Sequence, residues 1–228
     1  MRRISHQERY EDVVLRTKPV LYVPMQGSTT REEVRLVTAT VTGARIGRTG
    51  PFPGAQSIDF DGADDRAVIA TNAAYHPGDT FSVGGWFSRD GAGDVGNAPT
   101  MFHNGTNDFI VYFPLSGNTN KLTLRKAGVG DIFATNTVFG SPYTAGWQHC
   151  IFTKNAGTAT VCYLNGRSES GTYTNQTVVA STSDPTFGII SGALTNDFNG
   201  RLSHWAIWNR VLTAAEAVEL YRAGKDAT

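Results

Sequence analysis

Between residues 80 and 88 the chain alternates: Phe81, Val83, Gly85 and Phe87 fall on one face, and Ser82, Gly84, Trp86 and Ser88 on the other. A period of two is that of a half-buried β-strand, so the first set is expected to face a core. The alternation recurs through Cys150 and Phe152 and then Val161 and Tyr163, on either side of Asn155-Ala156-Gly157, which tolerates positive φ. Residues 147–154 and 158–164 are therefore expected to pair as a hairpin. Asn165-Gly166 follows at once and suits a two-residue type I′ turn, which needs positive φ at both central positions.

Further short strands are expected at 20–25, 34–41, 44–48, 56–61, 66–70, 99–103, 108–114, 120–126, 130–136, 177–180, 185–190 and 200–208, punctuated by Gly, Asn and Asp. Many short strands with turn signals between them predict an all-β fold of two packed antiparallel sheets rather than a parallel α/β sheet. On the strand at 200–208, Trp205 and Trp208 point to opposite faces, so at least one belongs to the core.

Helical periodicity is confined to the two ends. Residues 1–18, the most charged segment, show a broken apolar stripe of Ile4, Tyr10, Val13 and Val14 and predict a short helix or ordered arm, closed by Pro19. Near the C-terminus Thr213 and Glu216 form a capping box, Ala217, Leu220 and Tyr221 an apolar face, and Gly224 a stop. The division expected is an arm over 1–18 and a single sandwich over 19–228.

Composition narrows the function classes. The 228 residues are 40% hydrophobic, enough for one sizeable core, and only 18% charged. Lys plus Arg and Asp plus Glu both number 20, so the net charge is zero and neither nucleic acid nor an anionic membrane is indicated as a partner. Arg2-Arg3 and Arg45/Arg48 read as solvated surface. No apolar run approaches the ~20 residues of a membrane-spanning helix, and Met1 leads into charged residues rather than a secretory signal. The expectation is a chain made without export. The two cysteines, Cys150 and Cys162, are expected opposite each other on one face of the hairpin, as buried free thiols.

Several segments, in order, resemble one known family. They are Tyr10-Glu-Asp-Val-Val-Leu with Lys18-Pro-Val-Leu-Tyr22, Gly50-Pro-Phe-Pro-Gly54, Ser57-Ile-Asp-Phe-Asp-Gly62, Thr80 to Phe87, Trp147-Gln-His149, Tyr163-Leu-Asn-Gly166, Phe198-Asn-Gly200-Arg-Leu, and Trp208 to Glu216. This order is similar to that of the laminin-G-like, concanavalin A-like jelly-roll domains of bacterial surface proteins and bacteriophage virion proteins. The resemblance implies a concanavalin A-like jelly-roll sandwich with a short N-terminal arm and one short C-terminal helix. Where many members carry Ile-Asp-Glu-Val in the late strand, this chain has Leu202-Ser203-His204-Trp205, so two carboxylates are missing.

The resemblance, with the chain's own start and lack of export signal, implies a non-catalytic bacteriophage virion component of the minor tail or capsid-decoration type, assembled in the bacterial cytoplasm. Residues 1–18 would dock on other virion proteins, host-surface glycan would be a ligand, and a second copy of the chain a further partner. Two alternatives stand beside it: a carbohydrate-binding or adhesion module of a secreted, extracellular protein, and a glycoside hydrolase of the same fold. The hydrolase needs two carboxyl groups roughly 5 Å apart on a strand face. The glutamates, Glu8, Glu11, Glu32, Glu33, Glu169, Glu216 and Glu219, form no Glu-x-Asp-x-x-Glu pattern, so no catalytic residues are expected. His6, His76, His103, His149 and His204 are scattered and read as structural.

Two candidate sites remain. Asp59, Asp61, Asp64 and Asp65 around Gly62 could supply oxygen ligands to calcium, although Asp-Gly is equally what a tight hairpin needs; Asp197 and Asn199 form a weaker second set. For sugar binding, aromatic platforms are expected at Trp86, with its small neighbours, and at Tyr75, Tyr143 and Tyr173 in polar segments.

Overall fold

The computed structural model describes residues 6–26, 33–93, 98–115, 119–140, 143, 146–190 and 196–225. Arg2, Arg3 and most of the polar loop expected at 27–33 lie outside them. In chain order the elements are α1 (His6–Arg16), β1 (Leu21–Val23), β2 (Thr40–Thr42), β3 (Arg45–Thr49), β4 (Gln56–Asp61), β5 (Arg66–Val68), a 3-10 turn (Ala73–Tyr75), β6 (Phe81–Arg89), β7 (Thr100–His103), β8 (Phe109–Tyr112), β9 (Lys121–Lys126), β10 (Gly130–Val138), β11 (Gln148–Lys154), β12 (Val161–Leu164), β13 (Arg167–Glu169), β14 (Gly171–Tyr173), β15 (Thr186–Phe187), β16 (Asn199–Trp208) and α2 (Ala214–Lys225).

One sheet runs β13-β12-β11-β6-β16-β4-β3, with β1 also on β16; the other runs β14-β10-β9-β8-β7-β15-β5-β2. Pairing is antiparallel, and the fold is the two-sheet jelly-roll sandwich expected. The inward set of β6, Phe81, Val83 and Phe87, is fully buried between the sheets together with Phe102, Phe109, Phe152, Leu202 and Trp205. Each such side chain contributes about 1.5–3 kcal/mol by leaving water, and this is what holds the two sheets face to face.

β16 serves two partners on one edge. Its first half pairs with β4 and its second with β1, and the register shifts between Ser203 and Ala206, where His204 adopts φ 54°. The sequence that departs from the family pattern at 202–205 is thus a bulge. The His204 ring is held there by the Tyr22 hydroxyl, 2.6 Å from Nδ1, and by the Gln26 amide, 3.0 Å from Nε2. Burial pushes its pKa down to about 3, so the ring is neutral; Nε2 accepts from the Gln26 amide nitrogen, and Nδ1–H donates to the Tyr22 hydroxyl oxygen.

A second apolar layer lies outside the first sheet, where α1 and α2 cover it. Tyr10, Val13 and Val14 of α1 and Ala217 and Leu220 of α2 pack against Tyr22, Phe52, Trp86, Ile151 and Trp208. The segment expected to dock on a neighbouring protein therefore turns its apolar side onto its own sandwich, with Tyr10 and Val14 each only 1% exposed. Trp208 Nε1 donates to Thr17 Oγ1 at 2.8 Å, and Arg16 pairs with Glu219 across the two helices. The capping box of α2 is present, Glu216 N donating to Thr213 Oγ1 at 3.2 Å and Thr213 N to Glu216 Oε2 at 2.8 Å. Trp205 lies in the inner core and Trp208 in the outer layer, as their opposite faces require.

Four expectations are corrected. Of 34–41 only the end enters β2, because residues 33–35 form a turn; 177–180 is loop, with Val178 N taken by Asp79 Oδ1 at 2.8 Å; and β13 and β14, polar in sequence, are strands. The cysteines are not opposite: Cys150 faces Leu164 and Cys162 faces Phe152, because the chain between Lys154 and Val161 is longer than the three-residue turn expected. Both are buried free thiols, and burial pushes Cys150 up to about 12.

Candidate functional site

The expected platforms do not come together. Trp86 sits on the outward face of β6 as the alternation requires, but the helices cover that face and leave it 3% exposed, ringed by Tyr10, Phe52, His149 and Tyr221. Its role is packing. Tyr75, the last residue of the 3-10 turn, is fully buried and its carbonyl accepts from Asn104 Nδ2 at 2.8 Å, so it too is no platform. Tyr143 is half-buried, with the Arg89 guanidinium 4.7 Å from its ring centre. Tyr173 is also half-buried, and its hydroxyl donates to Thr158 O at 2.5 Å.

A different set forms a hollow of about 440 Å³ at the edge of the helical cover, lined by Pro51, Phe52, Trp86, Trp147, Gln148, Asn165, Tyr221 and Lys225. Trp147 and Tyr221, both half-buried, bring aromatic surface, while Gln148 and Asn165 bring amides. Local structure fixes each. Asn165 and Gly166 adopt φ 51° and 72°, the type I′ turn expected, and a Cβ at position 166 would come within 2.8 Å of the Tyr221 ring. Only glycine lets α2 lay that tyrosine on the turn. Asn165 Oδ1 accepts from His149 N at 2.9 Å and its Nδ2 donates to Gln148 Oε1 at 2.6 Å, which orients both amides. Gly224 plays the matching part at the helix end, since a Cβ there would meet Trp86 at 2.5 Å.

Beside it lies a charged hollow of about 350 Å³, lined by Arg48, Thr49, Asp59, Asp90 and Arg201. Arg48 Nε lies 3.6 Å from Asp59 Oδ2, and Arg201 Nε 3.5 Å from Asp90 Oδ2. The Arg201 guanidinium also stands over the Trp147 ring, 5.4 Å from its centre. Trp147, Gln148, Asn165, Tyr221, Arg48, Asp90 and Arg201 were not singled out from sequence as site residues. Trp147-Gln and Asn165-Gly were visible as motifs, but nothing linear brings them to α2 or to β16.

Of the four aspartates proposed for calcium, Asp61, Asp64 and Asp65 bring carboxylate oxygens within 4.8 Å of one another, whereas Asp59 faces Arg48 instead. Asp65 Oδ2 accepts from Asp61 N at 2.8 Å and Asp61 Oδ1 from Ala63 N at 3.0 Å, which is turn chemistry. Burial, then the neighbouring aspartates, raise the Asp65 pKa. Asn199 Nδ2 donates to Asp61 O at 2.9 Å, so the second set braces the first turn, while Asp197 is buried.

A hydroxyl–imidazole–carboxylate string joins Thr71 Oγ1, His76 and Asp108, at 2.9 Å to Nε2 and 2.8 Å from Nδ1. Asp108 also accepts from Asn104 Nδ2 at 2.9 Å, and these bonds tie the 3-10 turn to the β7–β8 connection. Burial raises the Asp108 pKa against the lowering effect of His76. His149 is fully buried under Trp86 and Tyr10 and its pKa is pushed down to about 3. Both histidines are buried within the sandwich.

The structure is similar to the binding domain of Paraclostridial Mosquitocidal Protein 1, with a TM-score of 0.71, 17% identity, and coverage of 92% of this chain and 53% of that one. It is similar to the Botulinum Neurotoxin Type G receptor binding domain, with a TM-score of 0.63, 16% identity, and coverage of 90% and 51%. The chain thus spans about half the length of these toxin domains. Domain 4 of AbnA, a GH43 extracellular arabinanase from Geobacillus stearothermophilus in complex with arabinotriose, matches with a TM-score of 0.66, 16% identity, and coverage of 90% and 98%. No curated protein sequence matches the chain. A family model described as the concanavalin A-like lectin/glucanases superfamily matches residues 61–218, most of the sandwich, and the chain belongs to that superfamily.

Proposed function

We propose that the protein is a non-catalytic glycan-binding module that holds a sugar in the hollow between Trp147 and Tyr221. The carrying observation is the pairing there of two half-buried aromatic rings with the oriented amides of Gln148 and Asn165. A pyranose or furanose ring offers apolar C–H faces and a belt of hydroxyls, and an aromatic wall beside amide donors and acceptors matches both. Membership of a superfamily of lectins and glucanases and likeness to an arabinanase domain bound to arabinotriose support the sugar over other small ligands.

Binding is favoured over hydrolysis by the carboxylates. A general acid of the glycosidase type needs a carboxyl group in apolar surroundings. Asp59 and Asp90 each face an arginine instead, and Glu169 and Glu216 accept from Thr137 and from Arg210 and Thr213. Nothing in the fold or in its likenesses points to a virion, so the reading rests on binding chemistry.

A glycan array followed by calorimetry on the hits tests it. Binding of at least one neutral saccharide, lost in Trp147→Ala and weakened about tenfold in Gln148→Ala, is the expected result; a fully folded protein that binds no saccharide, or a Trp147→Ala variant that binds as well as the parent, would overturn it.

A further inference from the structure

We infer that this site takes a neutral linear oligosaccharide, one end stacked in the aromatic hollow and the chain continuing across β6 and β16 into the charged hollow. The inference rests on the glycan-binding reading and adds the ligand's length, direction and charge.

Direction comes from register. Asp59 pairs with Arg201 across β4 and β16, and Arg201 pairs with Ser88 across β16 and β6. β11 begins with Gln148 opposite Phe87, so Trp147 stands at the next position, beside Ser88. Asp59, Arg201, Ser88 and Trp147 thus follow one cross-strand row on the outward face, and Arg48 closes the far end through Asp59. Within the row Ser88 is buried, its hydroxyl donating to Asp90 Oδ1 at 3.0 Å, while half-buried Asp59, Arg201 and Trp147 keep accessible surface. Neighbouring strands lie ~4.8 Å apart, so successive positions in this row advance by about the length of one sugar unit. Arg201 links the two hollows, since it lines the charged one and stands over the Trp147 ring, which lines the other.

Hydrogen-bonding capacity and charge select the ligand. The Arg48–Asp59 and Arg201–Asp90 separations of 3.6 and 3.5 Å exceed the ~2.7–3.2 Å of a direct hydrogen bond, so these groups have donors and acceptors open to hydroxyls that enter between them. Side chains 26–54% exposed in these pairs add little to stability, since exposed ion pairs contribute ~0–1 kcal/mol, so the fold itself does not require the arrangement. Two cations matched by two anions give no net attraction for a uronic or sialic acid, whereas the mixture of donors and acceptors suits hydroxyls. Each hollow falls within the ~300–1,000 Å³ typical of small-ligand sites, so together they exceed what one sugar unit fills.

The experiment is calorimetry with linear arabino-, xylo- and cello-oligosaccharides of one to six units, and with oligogalacturonides as the anionic series, on the full chain and on Arg48→Ala and Asp90→Asn variants checked for folding by circular dichroism. For the series that binds, affinity is expected to rise at least tenfold between the shortest ligand that binds and one two units longer, and that ratio is expected to fall close to one in either variant. A ratio near one in the parent protein, a ratio unchanged in both variants, or a preference for the oligogalacturonides would overturn the extended neutral site while leaving the aromatic hollow standing. No binding by any series would overturn the glycan reading itself.

Discussion

The Arg201 guanidinium stands 5.4 Å above the centre of the Trp147 ring, and this contact joins a strand in the middle of the sheet to the entry of β11. A cation over an exposed indole contributes about 0.5–1 kcal/mol, so its effect is to hold the ring rather than to hold the fold. The two tryptophans of the site divide accordingly. Trp147 is half-buried and presents ring surface to the hollow; Trp86 is its floor, packed under both helices.

Trp86→Ala is expected to cost about 3–5 kcal/mol in urea denaturation, the range for emptying a large aromatic position in a core. Trp147→Ala is expected to cost under about 1.5 kcal/mol while removing saccharide binding. Equal stability losses in the two variants would show that Trp147 is a packing residue and not a ligand wall.

The sheets were legible in the chain because their inward faces alternate cleanly, as at Phe81, Val83 and Phe87, and because Asn165-Gly166 permits few turns other than the one formed. The site was not legible, for two physical reasons. Alternation places Trp86 on the outward face but is silent about what covers that face, and the cover comes from helices at opposite ends of the chain. The hollow is then assembled from a strand entry, a hairpin turn, a proline loop and α2, which share no local signal. Polar strands β13 and β14 escaped notice for a related reason: as edge strands, each pairs on one side only and can be polar on both faces.

Acid should weaken the fold through its buried histidines. Burial lowers the pKa of His149 and His204 to about 3 and of His103 to about 4, against ~6.5 in an unfolded chain. Between about pH 6.5 and 4 the unfolded state therefore binds protons that the folded state refuses, and stability falls as pH falls, by up to about 1.4 kcal/mol per pH unit for each histidine. Asp65 and Asp108, whose folded pKa values are raised, act in the opposite sense and offset part of the loss as they take up protons. His149→Phe, which keeps the ring volume under Trp86, is expected to make the pH dependence shallower by about one proton; an unchanged slope in denaturation curves from pH 7 to 4 would count against the burial account.

Crowding of Asp61, Asp64 and Asp65 predicts a stabilising substitution. Asp65→Asn keeps an oxygen to accept from Asp61 N and removes one charge from a trio whose oxygens lie within 4.8 Å. A rise of about 1–2 °C in melting temperature at neutral pH and low salt is expected, corresponding to roughly 0.5 kcal/mol in a domain of this size, and the gain should shrink as salt is added. A fall in melting temperature under the same conditions would mean that the turn needs the Asp65 charge.

Removal of residues 1–18 tests whether the N-terminal helix is an appendage or a layer of the fold. Tyr10, Val13 and Val14 are at most 7% exposed, and their loss would bare Tyr22, Phe52 and Trp86 along the sheet face. It would also strip Trp208 Nε1 of Thr17 Oγ1 and leave the Arg210 guanidinium without the Thr17 carbonyl at 2.9 Å. Burial of three such side chains is worth several kcal/mol, and the entropy of ordering an 11-residue helix offsets part of it. The truncated protein is expected to be about 3–5 kcal/mol less stable, to bind the dye ANS and to aggregate on warming. A soluble truncation with the parent melting temperature would mean that the helix serves a neighbour and not its own sheet. Saccharide affinity should fall with it, because the floor of the hollow, Trp86, is held from behind by Tyr10 at 6.3 Å.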